Sequence, residues 1–472
     1  MIKQTYVFII ILFVVSFVAI SCSGDDDLDT TAQLNFSTKK VDFTTVFAVD
    51  DGEKPIGSIT ESFMIYNRSS KNVNINSIEL MHPNESGFLI NVDGVSGNRF
   101  DNVDILKQDS LYVFVQINPP ASGSNKPILI RDSIRFTTNG HVQYIRLEAL
   151  GQDVYVWKDR VIDSNTTLAT DKAYLITDSL VVAAGATLTV PAGIDLFFHH
   201  DALLSVHGTV DMQGSVANPI CLRGDRFDNI ANNIPYNNIA GQWRGVIIHE
   251  SSFNNIFNNV SIRSSKEGLT FYSSNAVTPK ASLMNVSVQN TSESGVIALN
   301  SNIKATNCLF ANSAGSALLV IGGKYDFVHC TIANYYKQGV RRNRALYISN
   351  YDGGTLCPLS QCNFINCIVY GDLDREYTFD GLQSAQFQYQ FSNCLIKGEM
   401  MVAPQFMNCL WSLDPRFSDI NLAGRYDYDF NLNVSSAAID NGETLPSVLF
   451  DINGNVRPFG AKSDIGCYEW HN

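Results

Sequence analysis

The feature that most constrains the fold is a pattern that returns three times at one fixed interval, in segments that begin at Asn285, Asn307 and His329. The period of the repeat is therefore twenty-two residues. The second and fourth positions are apolar in every copy: Val286 and Val288, Cys308 and Phe310, Cys330 and Ile332. Strands this short cannot bury a face alone, whereas stacked copies bury one continuous core. The repeat therefore predicts the coils of a parallel β-helix, with like residues about 4.8 Å apart.

The same period predicts two more apolar columns and one insertion. The third column contains Val296, Leu318 and Val340, and the fourth contains Ile303, Tyr325 and Tyr347. The pattern resumes at Asn366, so the step from His329 exceeds one period by fifteen positions. We place this excess at about residues 351–365.

Five of the ten cysteines occupy one position of the repeat. Each follows an Asn or His and precedes an apolar residue: Cys308, Cys330, Cys367, Cys394 and Cys409. Equivalent positions on successive coils face the core, where a free thiol acts as a small hydrophobic group. We therefore predict a ladder of buried thiols instead of a disulfide framework. Cys357 and Cys362 lie close together in the predicted insertion, where a disulfide between them is an alternative.

The N-terminal residues have the pattern of an export signal. Lys3 provides a positive flank, and residues 6–20 form a nearly unbroken apolar run that falls short of the roughly 20 residues of a membrane span. Ala19-Ile20-Ser21-Cys22 resembles the signal of bacterial lipoproteins, in which the Cys is lipidated and becomes the mature N-terminus. An ordinary signal peptide with an incidental Cys is the alternative.

An acidic run follows at once, from Ser23 to Asp27, and resembles the export signal of surface lipoproteins in Bacteroidetes-type bacteria. A calcium site is the alternative for these carboxylates. The resemblance implies a signal peptide over 1–21, a lipid on Cys22 and an acidic tether over 22–32. It also implies an outer-membrane, cell-surface location with the membrane as partner, because each buried lipid methylene contributes about 0.8 kcal/mol.

Residues 33–152 are predicted to form a β-sandwich. Seven short alternating runs are separated by Asn, Gly, Pro and Ser turns: 40–47, 58–66, 73–80, 88–92, 110–117, 132–137 and 143–150. Pro119-Pro120 after a strand and the closing residues 147–151 resemble the Hydin-like immunoglobulin-like domains. The resemblance implies a spacer or a protein-contact module.

Residues 165–411 carry the β-helix prediction, and residues 412–472 are predicted to cap it. Segments 173–182, 184–193, 204–210 and 243–248 resemble the opening coils of right-handed parallel β-helix proteins of the pectin-lyase-like class. The motifs at 437–442, 451–458 and 464–469 resemble the segment that closes bacterial β-helices. Because an open last coil exposes strand edges, we expect this segment to cover it, with Asp440 or Asp451 paired to Arg457. The fold class is all-β throughout.

Composition and charge exclude one class of partner. The net charge of -13 and a pI near 5.0 argue against nucleic acid, which is bound by Lys and Arg that neutralise phosphates. Polysaccharide lyases and hydrolases of the pectin-lyase-like class need carboxylates on adjacent coils. Between Ser282 and Ile321 the repeat has almost no Asp or Glu, which argues against such an enzyme.

A group of arginines and tyrosines beside the insertion is the candidate glycan-binding site: Tyr335, Tyr336, Arg341, Arg342, Arg344, Tyr347 and Tyr351. Arginines next to aromatic rings suit carboxylated or sulfated sugars, through bidentate hydrogen bonds and ring stacking. A surface turn held by salt bridges, with tyrosines in the core, is the alternative.

Two other clusters are candidates for a catalytic or metal site. Asp372, Asp374 and Glu376 alternate in a loop-like run that could chelate calcium, although the further ligands of a complete calcium loop are missing. His199-His200-Asp201 is interpreted as a turn at a strand end. The sequence predicts no cofactor and assigns no catalytic residue, and calcium is the alternative.

The sequence thus supports two function hypotheses. The first is a lipid-anchored surface protein that binds glycans or a surface protein without catalysis. The second is a polysaccharide lyase or glycoside hydrolase of the pectin-lyase-like class.

Overall fold

The computed structural model describes residues 28–49, 59–124, 126–230, 233–421 and 423–471. These residues are almost all strand and connecting loop, so the all-β prediction is confirmed. The helical elements in these ranges are Pro83–Ser86 and the 3-10 turn Tyr236–Asn238, and no helix among them is long and apolar enough to cross a membrane. The predicted signal peptide, Cys22 and the first residues of the tether lie outside the described residues.

One compact unit comprises described residues 28–46, 59–120 and 129–151. It contains two antiparallel sheets. The first has the order Asn35–Phe36, Glu61–Tyr66, Ser110–Ile117, Phe88–Val92 and Val95–Gly97. The second contains Lys40–Ala48, Val73–Leu80, Arg99–Ile105, Ile128–Thr138 and the start of His141–Trp157. Alternate residues of both sheets, such as Val113 and Phe136, form one core. This is the arrangement of a β-sandwich.

The other unit includes residues 152–471 and contains three ladders of parallel strands. Ladder A contains the end of His141–Trp157, then Ala173–Ile176, Asp195–Phe198, Ile220–Gly224, Asn255–Arg263, Ala281–Thr291, Leu309–Ser313, Thr331–Asn334, Ile368–Gly371, Leu395–Ile396 and Leu410–Trp411. Ladder B contains Arg160–Ile162, Ser179–Val182, Leu203–Val206, Gly245–Ile248, Leu269–Phe271, Val296–Thr306, Leu318–Val328, Leu346–Ser349 and Tyr377–Asp380.

Ladder C shares four long strands with the other two ladders. It contains Thr166–Thr167, Thr187–Pro191, Thr209–Gln213, Asn255–Arg263, Ala281–Thr291, Val296–Thr306, Leu318–Val328, Leu359–Ile365, Gln390–Ser392 and Phe406–Met407. The chain thus passes through the three ladders in turn, and inward residues of all three fill one continuous core. This is the architecture of a parallel β-helix.

The predicted register is correct for the first two columns in all three copies, and for the third and fourth columns in the first two copies. Val288 lies beside Phe310, which lies beside Ile332, and Val296 pairs with Leu318. The third and fourth columns are wrong in the third copy, which begins at His329. Val340 is 86% exposed and Leu346 takes the position beside Leu318, while Cys362 takes the position beside Tyr325 that was assigned to Tyr347.

The cause is that the fifteen extra residues are divided between two sites. The step from Leu318 to Leu346 is twenty-eight positions, so six extra residues precede ladder B. The step from Leu346 to Cys362 is sixteen, whereas that from Leu318 to Tyr325 is seven, so the remaining nine lie between ladders B and C. The repeat pattern alone cannot show this division. The position of the next recognisable copy gives the total number of extra residues but not where they are inserted.

The thiol ladder is present in the core. Cys308, Cys330, Cys367 and Cys394 are buried, and Cys409 at the last coil is half-buried. The disulfide considered between Cys357 and Cys362 is wrong, since both are free thiols. Cys362 lies within strand Leu359–Ile365 and faces the core, which directs its side chain away from the loop that carries Cys357.

The first residue of each repeat copy, which precedes Val286 or a cysteine of the thiol ladder, turns the chain at a corner. Asn285, Asn307, His329, Asn366, Asn393 and Asn408 have φ between 51° and 54°. This left-handed conformation costs a residue with a Cβ about 1–2 kcal/mol, and Asn bears it better than most. The Asn-Cys pairs of the sequence therefore mark the corners before ladder A.

We expect Asn285→Ala to lower the free energy of unfolding by about 1 kcal/mol, because alanine lacks the side chain that tolerates φ of 54°. Asn285→Gly provides the matched control, since glycine adopts this conformation without a steric cost. Urea unfolding followed by circular dichroism measures both. Equal stability of the two variants would contradict the role assigned to this corner.

The C-terminal segment lies along the side of the β-helix, which corrects the prediction that it covers the last coil. Its strands Phe417–Ile420 and Tyr428–Leu432 are antiparallel. Its apolar residues form a cluster with the outward-facing Leu309, Ile368 and Leu395 of ladder A. Those outward positions carry apolar residues, and covering them removes apolar surface from water.

Arg457 holds this segment through partners other than those predicted. Its Nε lies 3.4 Å from Glu469 Oε2, and it donates hydrogen bonds to the carbonyl oxygens of Asp464 and Gly466, at 3.0 and 3.2 Å. It also contacts Nδ1 of His329. Asp451 accepts hydrogen bonds from backbone amides of the segment itself and does not pair with Arg457. The predicted salt bridge to Asp440 or Asp451 is therefore wrong.

Candidate functional site

Arg341 is the centre of a buried ion pair. Its guanidinium binds both carboxylate oxygens of Glu376, and its Nη1 also donates to Asp372 Oδ1 at 2.6 Å and to the carbonyl of Asn334 at 2.7 Å. Only 6% of the Arg341 side chain is exposed, and the Glu376 side chain is fully buried. Every face of this guanidinium is occupied by the protein, so Arg341 holds the insertion in place and is not available to a ligand.

The other members of the predicted glycan site do not converge on one surface. Arg342 is exposed and pairs with Glu293 at 2.6 Å, while Arg344 is half-buried. Tyr335 and Tyr336 are buried, and Tyr335 belongs to the cluster formed with the C-terminal segment. The alternative interpretation of this group, a turn held by salt bridges with core tyrosines, describes four of these residues: Arg341, Arg342, Tyr335 and Tyr336.

Tyr347 and Tyr351 form a separate pair. Both hydroxyls donate hydrogen bonds to Oδ2 of Asp380, at 2.7 and 2.8 Å. Asp380 ends the last strand of ladder B, and Tyr347 is the register neighbour of Thr378 on the same strand. These two tyrosines therefore lie beside the end of ladder B.

Two of the three carboxylates considered as a calcium site, Asp372 and Glu376, already have cationic partners, and Asp374 is exposed. Asp372 contacts Lys337 and Arg341, and Glu376 contacts Arg341. Nδ1 of His199 lies 2.6 Å from Asp225, and His200 lies 3.1 Å from Asp201. Within the ranges that the structure describes, no three His, Cys, Asp or Glu side chains are grouped so as to hold a metal ion.

An open cleft lies where ladder B ends. Tyr377 and Phe379 face inward, as Leu346 and Ile348 do one coil earlier, but in the described part of the chain no further strand pairs with Tyr377–Asp380. The segment 398–405 crosses this position without forming a strand. The rings of the last ladder B strand therefore line a cavity instead of supporting another coil.

The cavity has a volume of about 520 Å³ and four aromatic rings in its wall: Tyr377, Phe379, Phe387 and Tyr389. Phe379 stacks on Tyr377 and on Tyr389, with ring centroids 4.9 and 4.6 Å apart. Burial raises the pKa of Tyr377 and of Tyr389, so both phenols are neutral at physiological pH. We call these four rings with Arg375 and Glu399 the aromatic cleft.

Polar groups stand at the rim of the aromatic cleft. Arg375 lies 5.7 Å from the centre of the Tyr377 ring, and the Tyr377 hydroxyl donates to the carbonyl of Glu399 at 3.2 Å. Thr378, the neighbour of Tyr347, also lines the cavity. An apolar wall with a few polar groups is the usual composition of a small-molecule site.

The aromatic cleft was missed in the sequence although a signal for it exists. Residues 377–379 and 387–391 alternate aromatic and polar side chains, as Tyr-Thr-Phe and Phe-Gln-Tyr-Gln-Phe. Such alternation predicts inward-facing strand residues. Their accessibility depends on the missing neighbour in ladder B, which no local pattern reveals.

No protein-family model matches the chain, and no curated protein matches it. Solved structures that align with it include a VesB protease of Vibrio cholerae, at 12% identity over 26% of this chain and 32% of that one. A family 123 glycoside hydrolase from Clostridium perfringens aligns at 10% identity over 25% and 26%, and the E. coli chaperone DraB at 11% over 26% and 55%. Each TM-score is 0.17, so these likenesses support no argument about fold or function.

Proposed function

We propose that this chain is a lipid-anchored outer-membrane protein of the bacterial cell surface that binds glycans without cleaving them. The observation that carries the proposal is the aromatic cleft, where four rings surround an open cavity of about 520 Å³. Sugar rings present C–H groups to aromatic faces and hydroxyls to polar side chains at the rim. In this proposal Cys22 carries the lipid, and the immunoglobulin-like sandwich is a spacer before a right-handed β-helix.

The scarcity of paired carboxylates supports binding over catalysis. A glycoside hydrolase needs two carboxyl groups on either side of the scissile bond, at about 5–9.5 Å. Glu399 is the one carboxylic acid among the residues that line the aromatic cleft. Catalysis is therefore the second hypothesis, and its test is the release of product.

Tyr389→Ala is expected to weaken glycan binding about tenfold or more, because an aromatic anchor in the centre of a site contributes more than about 1.4 kcal/mol. The protein from Ser23 onward is run in native gels that contain neutral, uronic-acid or sulfated polysaccharides, and product formation is measured in the same samples. Retardation that is lost in Tyr389→Ala and kept in Tyr389→Phe is the expected result.

The control is Tyr112→Ala, since Tyr112 and Phe114 form an exposed stacked pair on the sandwich, with centroids 5.9 Å apart. Loss of retardation in this variant alone would move the site to the sandwich and contradict the proposal. Product release by the wild-type protein would favour the lyase or hydrolase hypothesis.

A further inference from the structure

The core of the β-helix is open at its last coil. Phe406 and Trp411 are the register neighbours of Phe391 and Ile396 on the coil before. Phe391 and Ile396 are 1% exposed, whereas Phe406, Cys409 and Trp411 are only half-buried. The C-terminal segment does not close this end, because it packs along the outer face of ladder A. Core residues that another coil would cover therefore reach the surface.

The last coil also presents an open strand edge. The amide of Ser412 donates to the carbonyl of Ile396 at 2.8 Å, and Trp411 takes the position of Ile396 one coil later. In the described part of the chain no strand follows Leu410–Trp411 in ladder A, so no strand offers the Trp411 carbonyl an equivalent amide. An open strand edge is a template on which another chain can pair.

A column of stacked phenylalanines ends at the same surface. Phe364 stacks on Phe391, and Phe391 stacks on Phe406, with ring centroids 4.4 and 5.3 Å apart. Among the described residues no further ring stacks on Phe406, which instead lines an open cavity of about 440 Å³ together with Cys409 and Trp411. The last ring of the column therefore lacks the second stacking partner that Phe391 has.

The surface of this end is apolar and uncharged. Residues 400–413, which we call the open end, contain no Asp, Glu, Lys, Arg or His, although the chain has a net charge of -13. None of these residues is buried. Four large apolar side chains are exposed there: Met400, Val402, Met407 and Leu413. A contiguous exposed apolar surface of this kind is typical of a protein-contact site.

The charge and shape of the open end fit a second copy of this chain. Two copies of net charge -13 repel each other, so they associate through a surface that carries no charge. Val402 projects from the open end with 91% of its surface exposed, beside the cavity of about 440 Å³. A two-fold contact requires both features on one surface, because the projections of each copy must meet the hollows of the other. A lipid surface fits less well, since segments that bind lipid headgroups carry Lys or Arg.

We propose that two copies of this chain associate end to end through their open ends, so that each copy covers the last coil of the other. The contact removes the exposed apolar side chains of both copies from water and offers the edge of ladder A a strand to pair with. This inference goes beyond the proposed glycan-binding function and does not rest on it. Val402 and Met407 do not line the aromatic cleft, so changes at these positions test the contact separately.

Sedimentation velocity of the protein from Ser23 onward, over a dilution series, measures the association. We expect the mass of two chains, with dissociation to one chain on dilution. Val402→Glu should raise the Kd of the dimer about tenfold or more, because it places a charge in an apolar contact. Val277→Glu is the matched control, since Val277 is 85% exposed in a loop and the substitution adds the same charge.

Three results would overturn the proposal. The first is a monomer at every concentration, which would assign the open end to another partner. The second is an equal loss of association in Val277→Glu, which would show that net charge alone separates the copies. The third is a series of assemblies larger than two chains, because a two-fold contact closes at the dimer.

Thiol alkylation places the contact on the last coil. Cys409 is half-buried beside the cavity of the open end, so N-ethylmaleimide should modify it about tenfold more slowly in the wild-type dimer than in Val402→Glu, because only the monomer reacts. The buried Cys394 should stay unreactive in both proteins, which shows that the last coils remain folded. Cys357, half-buried in the insertion, should react equally in both. Equal rates at Cys409 in the two proteins would overturn the proposal.

Discussion

Replacing Arg341 with alanine is expected to lower the free energy of unfolding by about 3–5 kcal/mol. The substitution leaves the fully buried Glu376 carboxylate without its cation, and only the amides of Leu373 and Ala345, at 2.9 and 3.0 Å, still donate to it. An uncompensated buried charge is among the most destabilising changes in a protein. Urea unfolding followed by the loss of β-sheet circular dichroism measures the change.

The neighbouring arginine is the matched control. Arg342 pairs with Glu293, and about half of each side chain is exposed. Because water screens such a pair, Arg342→Ala should change the free energy of unfolding by less than about 1 kcal/mol. Equal effects of the two substitutions would contradict the role assigned to Arg341. The double change Arg341→Met with Glu376→Leu should recover most of the lost stability, since it removes both buried charges.

Replacing Arg457 with alanine is expected to release the C-terminal segment from the side of the β-helix, at a cost of about 3–5 kcal/mol. The Arg457 and Glu469 side chains are at most 1% exposed, so the substitution buries an unpaired carboxylate and leaves the carbonyls of Asp464 and Gly466 without a donor. Hydrogen–deuterium exchange measures the effect directly. Amides of residues 438–467 should exchange much faster in the variant.

Arg457→Lys separates charge from geometry. Lysine keeps the positive charge but cannot reach Glu469 and two carbonyl oxygens with a planar fork, so we expect an intermediate loss of protection. The apolar cluster of the C-terminal segment contains no residue of ladder B. Backbone amides of ladder B should therefore keep their protection from exchange in both variants. Unchanged exchange in 438–467 after Arg457→Ala would show that apolar packing alone holds the segment.

The two arginines show how far residue type alone can be interpreted. Arg341 and Arg342 are adjacent in the sequence, and the prediction places both in a glycan site because arginines next to tyrosines suit acidic sugars. The structure places one in a buried ion pair with Glu376, which is far along the chain, and the other on the surface. The sequence contains both partners, but the contact exists because ladder B brings Leu346 beside Tyr377.

The Asn-Cys pairs show the opposite case. Each corner needs a residue that adopts a left-handed conformation, and the next position needs a small apolar residue that faces the core. Because these two positions are adjacent in the chain, the residue pair Asn-Cys meets both requirements. The prediction that Cys308, Cys330, Cys367 and Cys394 lie in the core is therefore correct. Asn at the preceding position identifies the corner, because Asn tolerates the left-handed backbone conformation that the corner requires.

The sequence by itself determined that the chain stacks short strands into coils, which strand residues of ladder A face the core in the repeated region, and where the turns before ladder A lie. Each of these properties depends on residues close together in the chain. Only the tertiary structure decided how the extra residues of the insertion are divided, which face the C-terminal segment covers, and which rings remain open at the end of ladder B. These three features depend on contacts between residues that are separated by one or more coils. Such contacts are set by the stacking of the coils and not by the local conformational preference of each residue.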